Sequence, residues 1–148
     1  MRMTLTPDPK LYKFAEKLRT KKDMADLGLM AIKNIRNRTQ LKGVDYKGRA
    51  FKKYSPKYSE KTGKKFVNLT GTKAGKRMLN LIKVKATKNE ALIYFSDAMK
   101  EIIANNHNNG VRVPKREFFG IGKDDEKIVN KEYRKLLDKK IRAWENAK

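Results

Sequence analysis

The chain has 148 residues, enough for one domain with its own core and short for two. Its 38 Lys and Arg against 16 Asp and Glu give a formal charge of +22, a field that attracts nucleic acid or acidic protein surfaces and opposes self-association unless the charge is spread over an outer or channel-facing surface. Cysteine is absent, which excludes a disulfide framework, a thiolate zinc site and a cysteine nucleophile.

The opening MRMTLTPDPK lacks the apolar core of a signal peptide, and no run approaches the about 18 apolar residues of a membrane span. A soluble cytoplasmic product with no membrane partner is therefore expected. Asp8 and Pro9 form a cap and first-turn pair, and Leu11, Phe14, Ala15 and Leu18 follow at helical spacing. Asp23 either restarts or continues that helix, with Leu27, Met30, Ala31, Ile32 and Ile35 as its apolar stripe to about Arg38, so the pattern reads as one long helix or two joined by a kink.

From Lys42 to Phe66 the periodicity stops. Nine cations against two anions give this stretch a net +7, and glycines, Pro56 and three tyrosines interrupt it, which predicts an extended basic loop. Phe66, Val67 and Leu69 read as a short strand, and Thr72 to Asn80 as a short helix. Ile82, Val84 and Ala86 alternate with Lys83 and Lys85, Thr87 to Asn89 supplies a turn, and Ala91 to Phe95 returns, together a β-hairpin with one solvated lysine face. Asp97 then caps a short helix through Met99, Ile102 and Ile103 toward His107.

The segment HNNGVRVPKREFFGIGKDD, from His107 to Asp125, holds the sole histidine, Pro114, adjacent Phe118 and Phe119, and three glycines. Such residues predict a shaped loop anchored by its aromatic pair. Asp124, Asp125 and Glu126 place negative charge at the start of a final helix, whose face carries Val129, Tyr133, Leu136, Ile141 and Trp144. The elements add up to a single α+β domain over 1–148, with a helical part at 8–38, a basic loop at 42–66, a hairpin with short helices at 66–106, the anchored loop at 107–122 and a helix at 123–146. The sheet is small and antiparallel, with a long N-terminal helix or two on one side of it in sequence and the C-terminal helix on the other.

Catalytic patterns are weak throughout. His107 sits among Asn106, Asn108 and Asn109, but one histidine cannot build a His-Asn-His nuclease or a multi-histidine metal centre, and it reads as a structural or hydrogen-bonding residue at a turn. GTKAG from Gly71 to Gly75 has three residues between its glycines and Arg77 where a phosphate loop needs Ser or Thr after its Lys. Neither a Ser-His-Asp arrangement nor a dinucleotide loop is present in recognisable form, so no enzyme activity, cofactor or metal is expected. The basic loop has two readings: its cations interleaved with Tyr46, Phe51, Tyr54 and Tyr58 grip a phosphate backbone and stack bases, or the aromatics anchor the loop on a neighbouring subunit while the lysines stay solvated.

Several short blocks fall in a recognisable order. Gly43-Val-Asp45-Tyr-Lys-Gly48 is followed by Phe51, Tyr54, Tyr58 and Lys61, then Leu69-Thr70 with Gly75 and Met78-Leu79, then His107 with Gly110, and finally Arg116 with Phe118-Phe119-Gly120. This order resembles the phage virion morphogenesis family of Mu-like tail-completion and head-tail neck proteins, over nearly the whole chain. Two departures stand out: Glu117 lies where family members commonly carry proline in Arg-Pro-Phe, and Thr72 to Ala74 lengthen the step before Gly75.

The resemblance implies a non-enzymatic virion component at the head-tail junction, made in the host cytoplasm. It also implies a small antiparallel sheet with flanking helices and assembly as a homo-oligomeric ring, commonly of six in related neck proteins. Connector, neck, tail-tube or terminator proteins are the implied partners, with genomic DNA nearby. On this reading Phe51, Tyr54, Tyr58, His107, Gly110, Arg116, Phe118, Phe119 and Gly120 serve assembly or interface, Arg116 through a charge-assisted contact and His107 with Gly110 through the entry turn. Lys52, Lys53, Lys64 and Lys65 face DNA or an acidic partner. The alternative expectation is a nucleic-acid-binding module driven by the positive charge.

Overall fold

In the computed structural model, residues 2–3, 18–64, 67, 69 and 77–147 are described. The elements are β1 (Arg2–Met3), α1 (Lys21–Asn37), α2 (Pro56–Thr62), β2 (Ile82–Ala86), β3 (Ala91–Phe95), α3 (Ala98–Asn109) and α4 (Lys123–Asn146). A wide helical turn, Arg38–Lys42, follows α1, and a tight one, Met78–Leu81, leads into β2. The fold is α+β, with an antiparallel sheet in the order β1-β3-β2. None of the described helices is long and apolar enough to cross a membrane.

Of the two readings at Asp23, one long helix or two joined by a kink, the Thr20 cap shows a fresh helix start. Thr20 has extended φ and ψ, accepts a hydrogen bond from the Asp23 N–H at 3.2 Å and donates its own N–H to Asp23 Oδ2 at 2.7 Å, a reciprocal cap that begins α1 at Lys21. Burial works against the Asp23 carboxylate, but Lys140 of α4 at 2.9 Å and the Thr20 backbone and hydroxyl outweigh it and hold its pKa below the usual value. The helix expected from Asp8 lies outside the described residues.

Helix α1 buries Met24, Leu27, Ala31, Ile32 and Ile35 against the sheet. Gly28, in mid-helix, permits the approach: a Cβ there would stand 2.5 Å from Val84 Cγ2 and 3.2 Å from the Ala91 Cβ. The hairpin registers Ile82 with Phe95, Val84 with Ile93 and Ala86 with Ala91. Ala91, Ile93 and Phe95 face inward while Leu92 and Tyr94 face out beside the lysines of β2. Asp97 caps α3 by accepting the Lys100 N–H at 2.9 Å.

Three expectations need amendment. The basic segment 42–66 is not loop throughout, because Ser55 caps α2 and Pro56 sits at its first position. The strand expected at Phe66 to Leu69 is absent at Val67 and Leu69; both are buried, and Leu69 has φ +50°, a left-handed conformation that a pleated strand does not admit. Phe66, and residues 72–76 of the helix expected from Thr72, lie outside the described residues, as does GTKAG apart from its surroundings. In α4 the core stripe is Val129, Tyr133 and Leu137, spaced by four, whereas Leu136 is only partly buried and Trp144 is exposed.

Candidate functional site

The densest constellation joins the end of α1, the turn 43–50 and the segment 116–125. Arg38, buried in the first residue after α1, donates from Nη1 to Asp125 Oδ2 at 2.6 Å and from Nη2 to the carbonyls of Phe118 at 2.8 Å and Gly120 at 2.6 Å. One guanidinium thus ties three points 80 to 87 residues away in sequence. Burial pushes the Arg38 pKa down, and Asp125 opposes that shift. Asp125 also accepts the Gly122 N–H at 2.9 Å, which fixes the entry to α4.

Asn108 clamps the loop from α3. Its Nδ2 donates to the Phe119 carbonyl at 2.8 Å, and its Oδ1 accepts the Phe119 N–H at 3.1 Å. The Arg116 N–H donates to the His107 carbonyl at 2.7 Å. Gly110 ends α3 at φ +72°, so the chain reverses there without the steric cost that a side chain would meet. Phe118 is fully buried, and Phe119 packs on Phe95 with ring centroids 4.7 Å apart.

The turn 43–50 meets this loop at close range. Asp45 is buried and accepts the N–H groups of Lys47 and Arg49 and the Arg49 Nε, all within 2.9 Å. Tyr46 donates its N–H to the Glu117 carbonyl at 3.2 Å. A Cβ at Gly120 would fall 2.5 Å from the Tyr46 ring, and one at Gly122 only 1.8 Å from the Tyr46 carbonyl oxygen. The Glu117 side chain gathers Arg49 at 2.7 Å, Lys115 at 3.2 Å and Lys47 at 3.4 Å. Lys115 leads in holding the Glu117 carboxyl below its usual pKa, with Lys47 assisting.

Next to this joint lies an open cleft of about 510 Å³ between the basic segment and α3, with Tyr54, Tyr58, Met78, Ile103, His107 and Arg116 in its walls. Arg116 is 4% exposed. Its Nε donates to the Lys52 carbonyl at 3.0 Å, its Nη2 to the Lys53 carbonyl at 3.4 Å, and its guanidinium lies 5.0 Å from the Tyr54 ring centre. Tyr54 stacks at a tilt on Tyr58, 4.7 Å between centroids, and its Oη accepts the Leu69 N–H at 3.2 Å. His107 Nδ1 is buried and finds no hydrogen-bond partner among the described residues. Burial first, then the Arg116 charge, lowers the imidazole pKa.

These positions revise several interface expectations. Phe51 and Phe118 are buried in the subunit's own interior, so they anchor loops within the chain and are closed to a neighbour or a stacking base, whereas Arg116 holds the Lys52 and Lys53 backbone and is open only to the cleft. Arg116 reaches backbone carbonyls and a ring, and no carboxylate among the described residues. His107 belongs to the last turn of α3, not to the loop that follows it. Tyr58, at 40% exposure, stays accessible, as do Lys52 and Lys53. Burial and Arg77 lower the Lys64 pKa; Lys65 lies outside the described residues. Arg38, Asn108, Glu117 and Asp125 hold the joint together, yet the sequence marks only Asp125, as part of an acidic helix start, and shows nothing of their long-range partners. No cluster of three metal-ligating side chains occurs among the described residues.

Comparison with protein-family models, curated proteins and solved structures finds no match to this chain.

Proposed function

We propose that this chain is a structural virion protein of the phage virion morphogenesis type, acting in tail completion or head-tail joining by protein-protein contact and without catalysis. The observation that carries the reading is the meeting of two of the sequence blocks that bear the resemblance. The turn at Gly43 to Gly48 and the Arg116 to Gly120 loop lock together through Tyr46, Glu117 and Arg38. Residues shared with such a family for structural reasons belong at a joint of this kind, where Gly120 admits the Tyr46 ring and Gly122 the Tyr46 carbonyl at a distance that a side chain would block. The +22 charge suits a subunit that lines a DNA passage or meets acidic connector and tail-tube surfaces.

Negative-stain images of the protein alone and mixed with tail tubes test this reading. Rings or capped tube ends are the expected sight, and a phage lacking the protein should accumulate unjoined heads and tails. A monomer that ignores connector and tail-tube subunits, together with normal joining in the null phage, refutes it.

A nucleic-acid-binding role is the second reading, favoured by the exposed pair Lys52 and Lys53 on a strongly basic segment. It predicts tight DNA or RNA binding that falls steeply with salt and weakens when Lys52 and Lys53 are neutralised. Binding that is shallow in salt and indifferent to those changes refutes it.

A further inference from the structure

The cleft beside α3 combines an apolar interior with uncompensated positive charge. Two cations, Lys100 and Arg116, line it, and no carboxylate does among the described residues. A buried charge is ordinarily paired with an opposite one, because desolvation is otherwise repaid only in part. Arg38, elsewhere in this fold, follows the rule with Asp125. Arg116 departs from it: at 4% exposure it has two carbonyls and a ring for company, and no ion pair among the described residues.

The remaining wall is suited to an apolar side chain. Tyr58, Met78, Ile103 and Pro114 contribute to it, and on the same helix as Ile103, about one turn or less away in sequence, Met99 is 65% and Ile102 53% exposed. Exposed Met and Ile grouped at helical spacing, beside tyrosine and arginine, have the composition of a binding hot spot with an apolar centre. A phosphate backbone satisfies the cations but leaves the apolar wall unused. A second copy of this chain brings 38 more cations against 16 anions.

We propose that the cleft between the basic segment and α3 binds a segment of an acidic partner protein, inserting one apolar or aromatic side chain against Ile103 and Met78 and presenting a carboxylate to Arg116 and Lys100. The proposal deepens the assembly reading and takes from it only that the occupant is a protein. Imaging of rings and tube ends tests that reading separately, so each can fail without the other.

The test is a nuclear magnetic resonance titration of the full chain with acetyl-Gly-Phe-Glu-Gly-amide, following the single imidazole of His107, the Ile103 methyl group and the rings of Tyr54 and Tyr58. Saturable shifts at these groups are expected, at least tenfold weaker when Gln replaces Glu or Ala replaces Phe in the peptide. Ile103→Glu, at a position 37% exposed, should keep the wild-type circular dichroism and melting temperature while weakening the peptide at least tenfold. Three results overturn the proposal: no saturable shift, equal binding of the Gln peptide, or unchanged binding by the Ile103→Glu variant. A short DNA duplex that shifts the same resonances at lower concentration than the peptide also overturns it, as does concentration-dependent self-association abolished by Ile103→Glu.

Discussion

Arg38→Leu is the most informative single perturbation. The substitution keeps an apolar stem but removes the donors to Asp125, Phe118 and Gly120, leaving a carboxylate whose side chain is 9% exposed without its counter-charge. Removing one partner of a buried pair costs about 3–5 kcal/mol, because the remaining charge stays desolvated. Against a typical stability of about 5–15 kcal/mol that is a large fraction, and it corresponds to a melting temperature lower by on the order of 10 °C for a chain of this size. Asp125 has a second partner in the Gly122 N–H, so Asp125→Asn, which retains an acceptor there, should cost less, about 1.5–3 kcal/mol for the lost charge-assisted bond. Urea unfolding followed by circular dichroism measures both variants and their combination. The double variant should be more stable than the sum of single costs predicts, with a coupling of about 0.5–3 kcal/mol. A loss below 1 kcal/mol in Arg38→Leu, or strictly additive costs, would falsify the view that this ion pair closes the joint.

Other positions test the joint and the cleft from different directions. Gly122→Ala forces a Cβ onto the Tyr46 carbonyl oxygen and should destabilise by about 1–3 kcal/mol; the same change at Gly48, where nothing lies within reach but φ is +80°, should cost only the left-handed penalty of about 1–2 kcal/mol. Equal tolerance of Gly122→Ala and a surface alanine in thermal melts would count against the close packing of Tyr46. Asn108→Ala removes both halves of the Phe119 clamp and should cost about 1–3 kcal/mol, read from the urea midpoint. His107 has a depressed folded pKa, so the unfolded chain binds its proton first: its contribution to stability is intact above about pH 6.5 and is lost as pH falls through the folded value. Asp23 and Glu117, also depressed, begin to matter only below about pH 4.5. The decline in urea midpoint between pH 7 and 5 should therefore flatten in His107→Gln, and parallel slopes for the two proteins would show that the imidazole is not buried as described.

Local physics made most of the elements legible. The hairpin from Ile82 to Phe95 follows from strict alternation with lysine on one face, and its register is the one that alternation requires. Asp97, Gly110 and the acidic run in the first turn of α4 mark helix ends because capping chemistry and the helix dipole act over three or four residues. Ser55-Pro56 is equally local and announces α2, but the surrounding charge and glycine content masked it. Leu69 was beyond such reasoning: its positive φ accompanies a tertiary bond to Tyr54, fifteen residues away.

The sequence by itself determined that this is a single strongly basic α+β chain, that it lacks cysteine chemistry and multi-histidine chemistry, and that residues 107–125 form a shaped, anchored segment. Each of these rests on composition or on periods of two to four residues, where neighbours in sequence are neighbours in space. Only the tertiary structure decided what the segment is anchored to. Arg38 finds Asp125 across 87 residues, Arg116 finds the Lys52 carbonyl across 64, and Tyr46 comes to rest on Gly120 and Gly122. Such partners are selected by burial, which strips the competing water from a charge and rewards whichever group the packed chain brings within reach. The same packing turned Phe118 from an expected contact residue into an interior one and set Arg116 in the wall of a cleft that no local pattern foretold.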